Sequence, residues 1–334
     1  LSGAAAGRRV TNIVVAPAEV GSGTSLAAAG EHFDGRRPHS SRGSTVEPFS
    51  GCPIVLVTVP VREADGTVRG ADEIDTTITH TVEAAFADSD EVIVHVVAHS
   101  KTGVHAPTLS TIGGLQRRYG SRLHVVIDAA QGRISRRGMQ ASLASQHIVI
   151  LTGSKFYGGP PFSGCVFVPD RYRSTIREAA MPDRSLSEYF AACEAPDDLH
   201  TWRASVNPDP NIGLVLRWLA ALTEIDDYYE TPPPIRYRTL RAFERRGAAR
   251  LAASPAVVLE DSVVPEGDSG QRLRESQRSV FSFGLVGPVG PGLGADRLRR
   301  VRGAWREGSA VPPREGGGGG WGRGARGVGG GGGG

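Results

Sequence analysis

The sequence predicts an α/β fold, a mostly parallel sheet with helices on both faces. Two observations support it: short, nearly continuous apolar runs rich in β-branched residues, and helical patterns between these runs. Strand and helix alternating in this way are typical of a parallel sheet. We predict strands at Thr11–Val15, Ile54–Val59, Glu91–Val97, Leu123–Ile127, His147–Leu151 and Gly164–Val168.

Helices are predicted between these strands and in the region after Asp170. The predicted segments are Ile74–Phe86, Thr108–Tyr119, Gly138–Ser145, Ile212–Tyr229 and Ile235–Ala252, with later strands at Ala256–Glu260 and Ser279–Val286. We therefore expect a large domain over 1–230 and a partial small C-terminal α+β domain over 231–290. An Arg/Gly-rich, low-complexity tail over 291–334 cannot bury a core.

Composition and charge narrow the function classes. The formal net charge of +3 over 334 residues argues against electrostatic binding of nucleic acid by the whole chain. Three widely spaced cysteines without a CxxC pair favour a reducing, cytoplasmic location and argue against a zinc site. No apolar run is long enough for a membrane span. Because the first residue is Leu, we expect a fragment truncated at its N-terminus.

Lysine is rare in this chain. Of 38 basic residues only Lys101 and Lys155 are lysines. Arginine stays protonated and cannot form a Schiff base, so a lysine kept in such a chain marks a place where an amine is needed, or survives by chance. Both lysines follow predicted strands, where ligands bind in open α/β sheets.

Three strand-end segments carry the chemical signal. One reads Asp128-Ala129-Ala130-Gln131, one reads Thr152-Gly153-Ser154-Lys155-Phe156-Tyr157-Gly158, and one reads His99-Ser100-Lys101-Thr102-Gly103. Together they resemble pyridoxal 5'-phosphate (PLP)-dependent enzymes of fold type I. The most similar branch is that of the class V aminotransferases, which includes cysteine desulfurases and kynureninase. The match covers roughly Thr11 to Glu224 and implies the large domain of a PLP transferase.

The residues also suit this cofactor chemically. A lysine amine can hold PLP as an imine, the internal aldimine, and can move protons at the substrate α-carbon, which suits Lys155. A carboxylate against the pyridine nitrogen keeps the ring protonated, which suits Asp128. Gln131 can donate a hydrogen bond to the phenolic oxygen.

The resemblance implies further site residues. Thr152 and Ser154 could supply hydroxyl groups to the phosphate, with Ser154 standing where the branch usually has His. Ser100 stands where relatives carry Asn beside the cofactor oxygen, and it can still donate. Arg203 lies in the region where the branch binds the substrate carboxylate. An amino-acid substrate and a homodimer are implied by resemblance alone.

Other interpretations stay open. Lys101 follows a strand too, but no GxxxxGK pattern precedes it, so we interpret it as a loop residue. The segment 19–24 could form an anion-binding nest or a flexible turn. Aminotransferase and lyase chemistry are both possible, whereas desulfurase chemistry is disfavoured because no cysteine stands on a predicted active-site loop. The alternative function is that of an inactive, truncated relative with an RNA-contacting Arg/Gly tail.

Overall fold

The structure is a computed structural model that describes residues 7–35, 40–46, 53–178, 189–259 and 280–285. The chain divides into two compact units, Leu1–Phe283 and Gly284–Gly334. Only the first two residues of the second unit are among those described, so the predicted tail lies outside the described residues. The predicted boundary between a large and a small domain stays a prediction.

A six-stranded sheet forms the centre of the first unit and confirms the predicted α/β class. The strand order is β2-β1-β3-β4-β5-β6, all neighbours are parallel except β5 and β6, and this antiparallel edge was not predicted. The strands are β1 (Val10–Val15), β2 (Ile54–Val59), β3 (Glu91–Val97), β4 (Leu123–Ala129), β5 (Ile148–Thr152) and β6 (Gly164–Phe167). Two short strands follow, β7 (Val257–Leu259) and β8 (Phe283–Leu285).

Eight α-helices accompany these strands in the described part of the chain. They are α1 (Thr24–Ala28), α2 (Ala71–Asp88), α3 (Leu109–Tyr119), α4 (Arg136–Ala144), α5 (Arg173–Glu178), α6 (His200–Ser205), α7 (Ile212–Glu230) and α8 (Pro233–Ala252). Short 3₁₀ helices span Gly120–Arg122, Asp170–Tyr172 and Ala192–Glu194. The prediction placed the start of α2 three residues late, because its N-terminal turn is polar, with Asp72 and Glu73 favoured near a helix N-terminus.

The two faces of the sheet bury different residues. Side chains alternate between the faces of a strand. One set, including Ile13, Val94 and Ile127, is fully buried in the main core with α2 and α3. The opposite set places Asn12 and His95 among apolar neighbours. Asn12 and His95 therefore share one face of the sheet.

Strand β4 extends two residues beyond its predicted end. Asp128 lies within the strand, opposite Val97 of β3 and Ile150 of β5, rather than after it. The prediction ended at Ile127 because Asp disfavours strands, but pairing on both sides supplies hydrogen bonds that override that preference. This position places the Asp128 side chain on the same face of the sheet as His95.

Candidate active site

A pocket of about 470 Å³ lies over one face of the central strands and reaches their carboxyl ends. This volume lies within the range that small-molecule and cofactor sites occupy. Its lining includes Asp128, Gln131 and Lys155, three of the residues that the sequence predicts for one site. Ser100 and Glu19 complete the rim on the side of β1 and β3. The structure thus brings four of the seven predicted site residues to one cavity.

The loops after β4 and β5 are fastened to each other, which is why Lys155 lies near Asp128. The backbone N–H of Phe156 donates to the carbonyl of Gln131 at 3.3 Å, and the hydroxyl of Thr152 donates to the carbonyl of Ala130 at 3.0 Å. These bonds join residues that are more than twenty positions apart in sequence. They keep together the two loops that carry the lysine and the acid, both of which line the pocket.

Gly132 allows this close approach. Its φ is +72°, a conformation that L side chains rarely adopt, and a Cβ there would lie 3.1 Å from the carbonyl oxygen of Thr152. The same Cβ would lie 3.4 Å from Cβ of Phe156. A larger residue would therefore push apart the two loops that carry Asp128 and Lys155.

The electrostatics of the pocket centre on Asp128. Burial raises the pKa of its carboxyl group, whereas the N–H of Ala130, 3.0 Å from Oδ1, and the nearby charge of Lys155 lower it. The direction is upward because the cost of removing a carboxylate from water is the largest of these effects. A cationic group placed against this carboxylate would compensate that cost.

Two pocket residues were missed in the sequence because they lie inside apolar strands. Asn12 of β1 donates to the carbonyl of Ala28 at 2.7 Å, and His95 of β3 lies on the pocket floor. Burial lowers the pKa of His95 to about 4, so its imidazole is neutral at physiological pH, and its Nε2 atom is shielded from solvent without a hydrogen-bond partner. The only sequence signal for these two residues was the alternation of side chains along β1 and β3, which puts each of them on the same face of the sheet as its i+2 neighbours.

The hydroxyl groups predicted to bind phosphate face other groups. Thr152 donates to Ala130, and Ser154 donates to Thr152 Oγ1 at 3.3 Å. Neither lines the pocket.

The Ser100 hydroxyl donates to the carboxylate of Glu19 at 2.6 Å, so a cofactor oxygen would compete with Glu19 for that proton. The cofactor-binding roles of all three stay predictions.

Arg203 does not line the pocket either. It lies on α6, where its guanidinium donates to the carbonyl of Ala195 at 3.0 Å and forms an ion pair with Asp197. A substrate carboxylate would have to replace Asp197 as its partner. Its substrate-binding role stays a prediction.

The rival lysine and the described cysteines lie outside the pocket. Lys101 is exposed on the loop after β3 and is not among the lining residues. Cys193 is exposed on a 3₁₀ helix, and Cys165 lies on β6, where burial raises the pKa of its thiol to about 11. Cys52 lies outside the described residues. Neither of the two described cysteines lines the pocket.

The described segments contain neither a candidate metal site nor a candidate membrane span. No group of three or more His, Cys, Asp or Glu side chains there could hold a metal ion. No helix among the described residues is both long enough and apolar enough to cross a membrane.

Comparisons with known proteins give partial structural similarity. No protein-family model and no curated protein sequence matches the chain. Similar solved structures include the apo cysteine desulfurase of Thermococcus onnurineus NA1, with 16% identity, a TM-score of 0.46, and coverage of 91% of this chain and 62% of that chain. The ureidoglycine-glyoxylate aminotransferase of Bacillus subtilis has 14% identity, a TM-score of 0.45, and coverage of 78% and 57%.

A third similar structure is the tryptophan decarboxylase of Catharanthus roseus in complex with L-tryptophan, with 10% identity, a TM-score of 0.45, and coverage of 92% and 54%. The chain thus spans little more than half the length of these structures, and 46% of mouse CSAD. Because these identities and TM-scores are low, we infer function from the side chains of this chain.

Proposed function

We propose that this chain is the cofactor-binding part of a PLP-dependent enzyme that acts on an amino acid, with Lys155 as the amine that holds the cofactor. One observation carries the proposal: of the two lysines in the sequence, Lys155 lines the pocket together with Asp128 and Gln131, and Lys101 does not. An amine, a carboxylate and an amide donor on one cavity wall are the groups that such a cofactor requires.

The donor set fits the ring of PLP. The Lys155 amine would attach the cofactor, the Asp128 carboxylate would face the protonated ring nitrogen, and Gln131 would donate to the phenolic oxygen. A cation against Asp128 offsets the burial that raises the pKa of this carboxyl group. The phosphate end has no comparable support, because Thr152 and Ser154 donate within the chain.

When bound, PLP withdraws electrons from the α-carbon of an amino acid. The chain's own contribution is to orient and to move a proton. Lys155 would be the base that takes a proton from that carbon and returns it. Asp128 would face the ring from a fixed position, because β4 is paired on both sides. Whether the reaction is transamination or a lyase reaction depends on the substrate groups of the pocket, and we propose no choice between them.

A homodimer is proposed together with this function. Helix α7 exposes aliphatic side chains at helical spacing, which supports an interface along it. They are Ile212, Val215, Leu216, Leu219 and Leu222, between 46% and 62% exposed. Light scattering of the purified protein would test it: a mass of twice 35.2 kDa supports the dimer, and a monomer at micromolar concentration contradicts it. The cytoplasmic location also stays a proposal.

Titration with PLP tests the enzyme proposal. We expect an absorbance band at about 410–430 nm in the wild type and in the control Lys101→Ala, and no band in Lys155→Ala. Both variants remove one exposed ammonium group, so they are matched in chemistry. A band of equal size in Lys155→Ala would overturn the assignment. Absence of a band in every variant would favour the inactive relative.

A further inference from the structure

Glu19 is a buried acid that the proposed chemistry does not use. It follows β1 and is 3% exposed, and its backbone N–H donates to the carbonyl of Ala16 at 2.8 Å in a tight turn. A buried carboxylate is costly unless it is paired and hydrogen-bonded. Its surroundings show how this cost is offset.

Three donors from two other loops converge on this carboxylate. Nε of Arg62, after β2, lies 2.5 Å from Oε1 of Glu19. The hydroxyl of Ser100, after β3, donates to Oε2 at 2.6 Å, and the hydroxyl of Thr102 donates to the same oxygen. Arg62 also donates to the carbonyl of Gly66 at 2.9 Å and to Thr102 Oγ1 at 3.2 Å. We call Glu19, Arg62, Ser100 and Thr102 the carboxylate clamp.

Ser100 is the member of the clamp that connects it to the pocket. Its oxygen accepts the backbone N–H groups of Thr102 at 3.2 Å and Val104 at 3.0 Å, while its hydrogen points to Glu19. The side chain is therefore fixed by three partners. Both Ser100 and Glu19 line the pocket, so the clamp determines the shape of its rim.

We propose that Glu19 is a positioning residue: its carboxylate holds the loop 99–104 in place through Ser100 and Thr102, and thereby keeps the pocket shaped for its ligand. The choice of PLP as that ligand rests on the proposed function, but the positioning itself does not. A merely structural role would lower stability without a specific effect on this loop or on its coupling to the ligand.

Amide hydrogen exchange on the apo protein tests the positioning. Glu19→Gln keeps the shape of the side chain, but it removes the charge opposite Arg62 and turns one acceptor into a donor. We expect exchange in peptides covering 99–104 to rise about tenfold, while peptides of β4 keep their wild-type rates. The matched control is Glu91→Gln, which removes a carboxylate paired with Arg8 and His124 from the opposite end of the same sheet. It should leave 99–104 unchanged.

Thr102→Val provides a second test if Glu19→Gln fails to fold. It removes one hydroxyl donor and keeps the pair between Glu19 and Arg62. We expect a smaller rise in exchange, of about threefold, in the same segment. Unchanged exchange at 99–104 in the folded variants, or an equal rise over the whole sheet, would overturn the positioning role.

A double-mutant cycle connects the clamp to the ligand. Glu19→Gln and Ser100→Ala should each weaken PLP binding about tenfold, and the double variant should be no weaker than either single variant, because both act through one path. Multiplied effects would contradict action through Ser100. If the wild type binds no PLP, the proposed function fails, and the exchange experiment alone decides the role of Glu19.

Discussion

Gly153 packs closely against Ala221 of helix α7. It lies between Thr152 and Ser154, two residues before Lys155. A Cβ built on it would lie 2.6 Å from Cβ of Ala221 and 3.3 Å from Oγ of Ser163. Real Cβ atoms do not approach other atoms as closely as 2.6 Å, and neither partner is a long side chain that could rotate away. Gly153→Ala must therefore displace the loop or the helix.

The size of the effect follows from this overlap. Inserting a methyl group into a packed site costs about 1–3 kcal/mol, and we expect a value near the middle of this range for Gly153→Ala. Ala221→Gly alone should cost about 1 kcal/mol because glycine is a poor helix former, and about 0.8 kcal/mol more for the lost methyl burial. In the double variant the new methyl group occupies the space of the old one, so only the helix penalty of about 1 kcal/mol should remain.

Urea unfolding followed by circular dichroism measures these differences. The control is Gly164→Ala, on β6 of the same hairpin, where the nearest atom to the new Cβ is 4.0 Å away. We expect its free energy of unfolding to stay within about 0.5 kcal/mol of the wild type. If the double variant is destabilised by the full sum of the two single variants, the contact between Gly153 and Ala221 does not exist and the reasoning is refuted.

Two further predictions concern charge and backbone conformation. Because burial raises the pKa of Asp128, the folded chain binds this proton more tightly than the unfolded chain, so the contribution of Asp128 to stability falls as pH rises from 3.8 through the raised value. The free energy of unfolding of Asp128→Asn minus that of the wild type should therefore be larger at pH 7 than at pH 4, measured on the apo protein. An equal difference at the two pH values would contradict the raised pKa. Gly120 caps α3 with φ +61° and ψ −132° in open space, so Gly120→Ala should cost about 1–3 kcal/mol from backbone strain alone in urea unfolding, and no loss would show that the turn adopts another conformation.

The sequence was sufficient for the residues that lie at strand ends. Asp128, Gln131 and Lys155 could be assigned to one site because parallel strands place their carboxyl ends at the same edge of the sheet. The runs of β-branched residues identified the six strands within two residues at each end. The antiparallel direction of β6 could not be predicted, because it depends on how the turn 153–163 folds back on β5.

The carboxylate clamp could not be predicted from the sequence. Glu19 pairs with Arg62 and Ser100, which are 43 and 81 residues away, and no local pattern joins them. His95 and Asn12 were hidden for a different reason, since a single polar residue in an apolar strand has no signature of its own. The ion pair between Arg203 and Asp197 could not be predicted either, because several arginines and carboxylates lie near each other in this part of the sequence, and the substrate-binding role of Arg203 stays a prediction.

The proposed function depends most directly on which lysine holds the cofactor. Purified protein would be mixed with PLP, reduced with borohydride, digested and mapped by mass spectrometry. We predict one modified peptide, carrying the adduct at Lys155, with Lys101 unmodified at equal molar PLP. An adduct at Lys101, or label divided between the two lysines, would contradict the assignment of Lys155 and of the pocket that it lines.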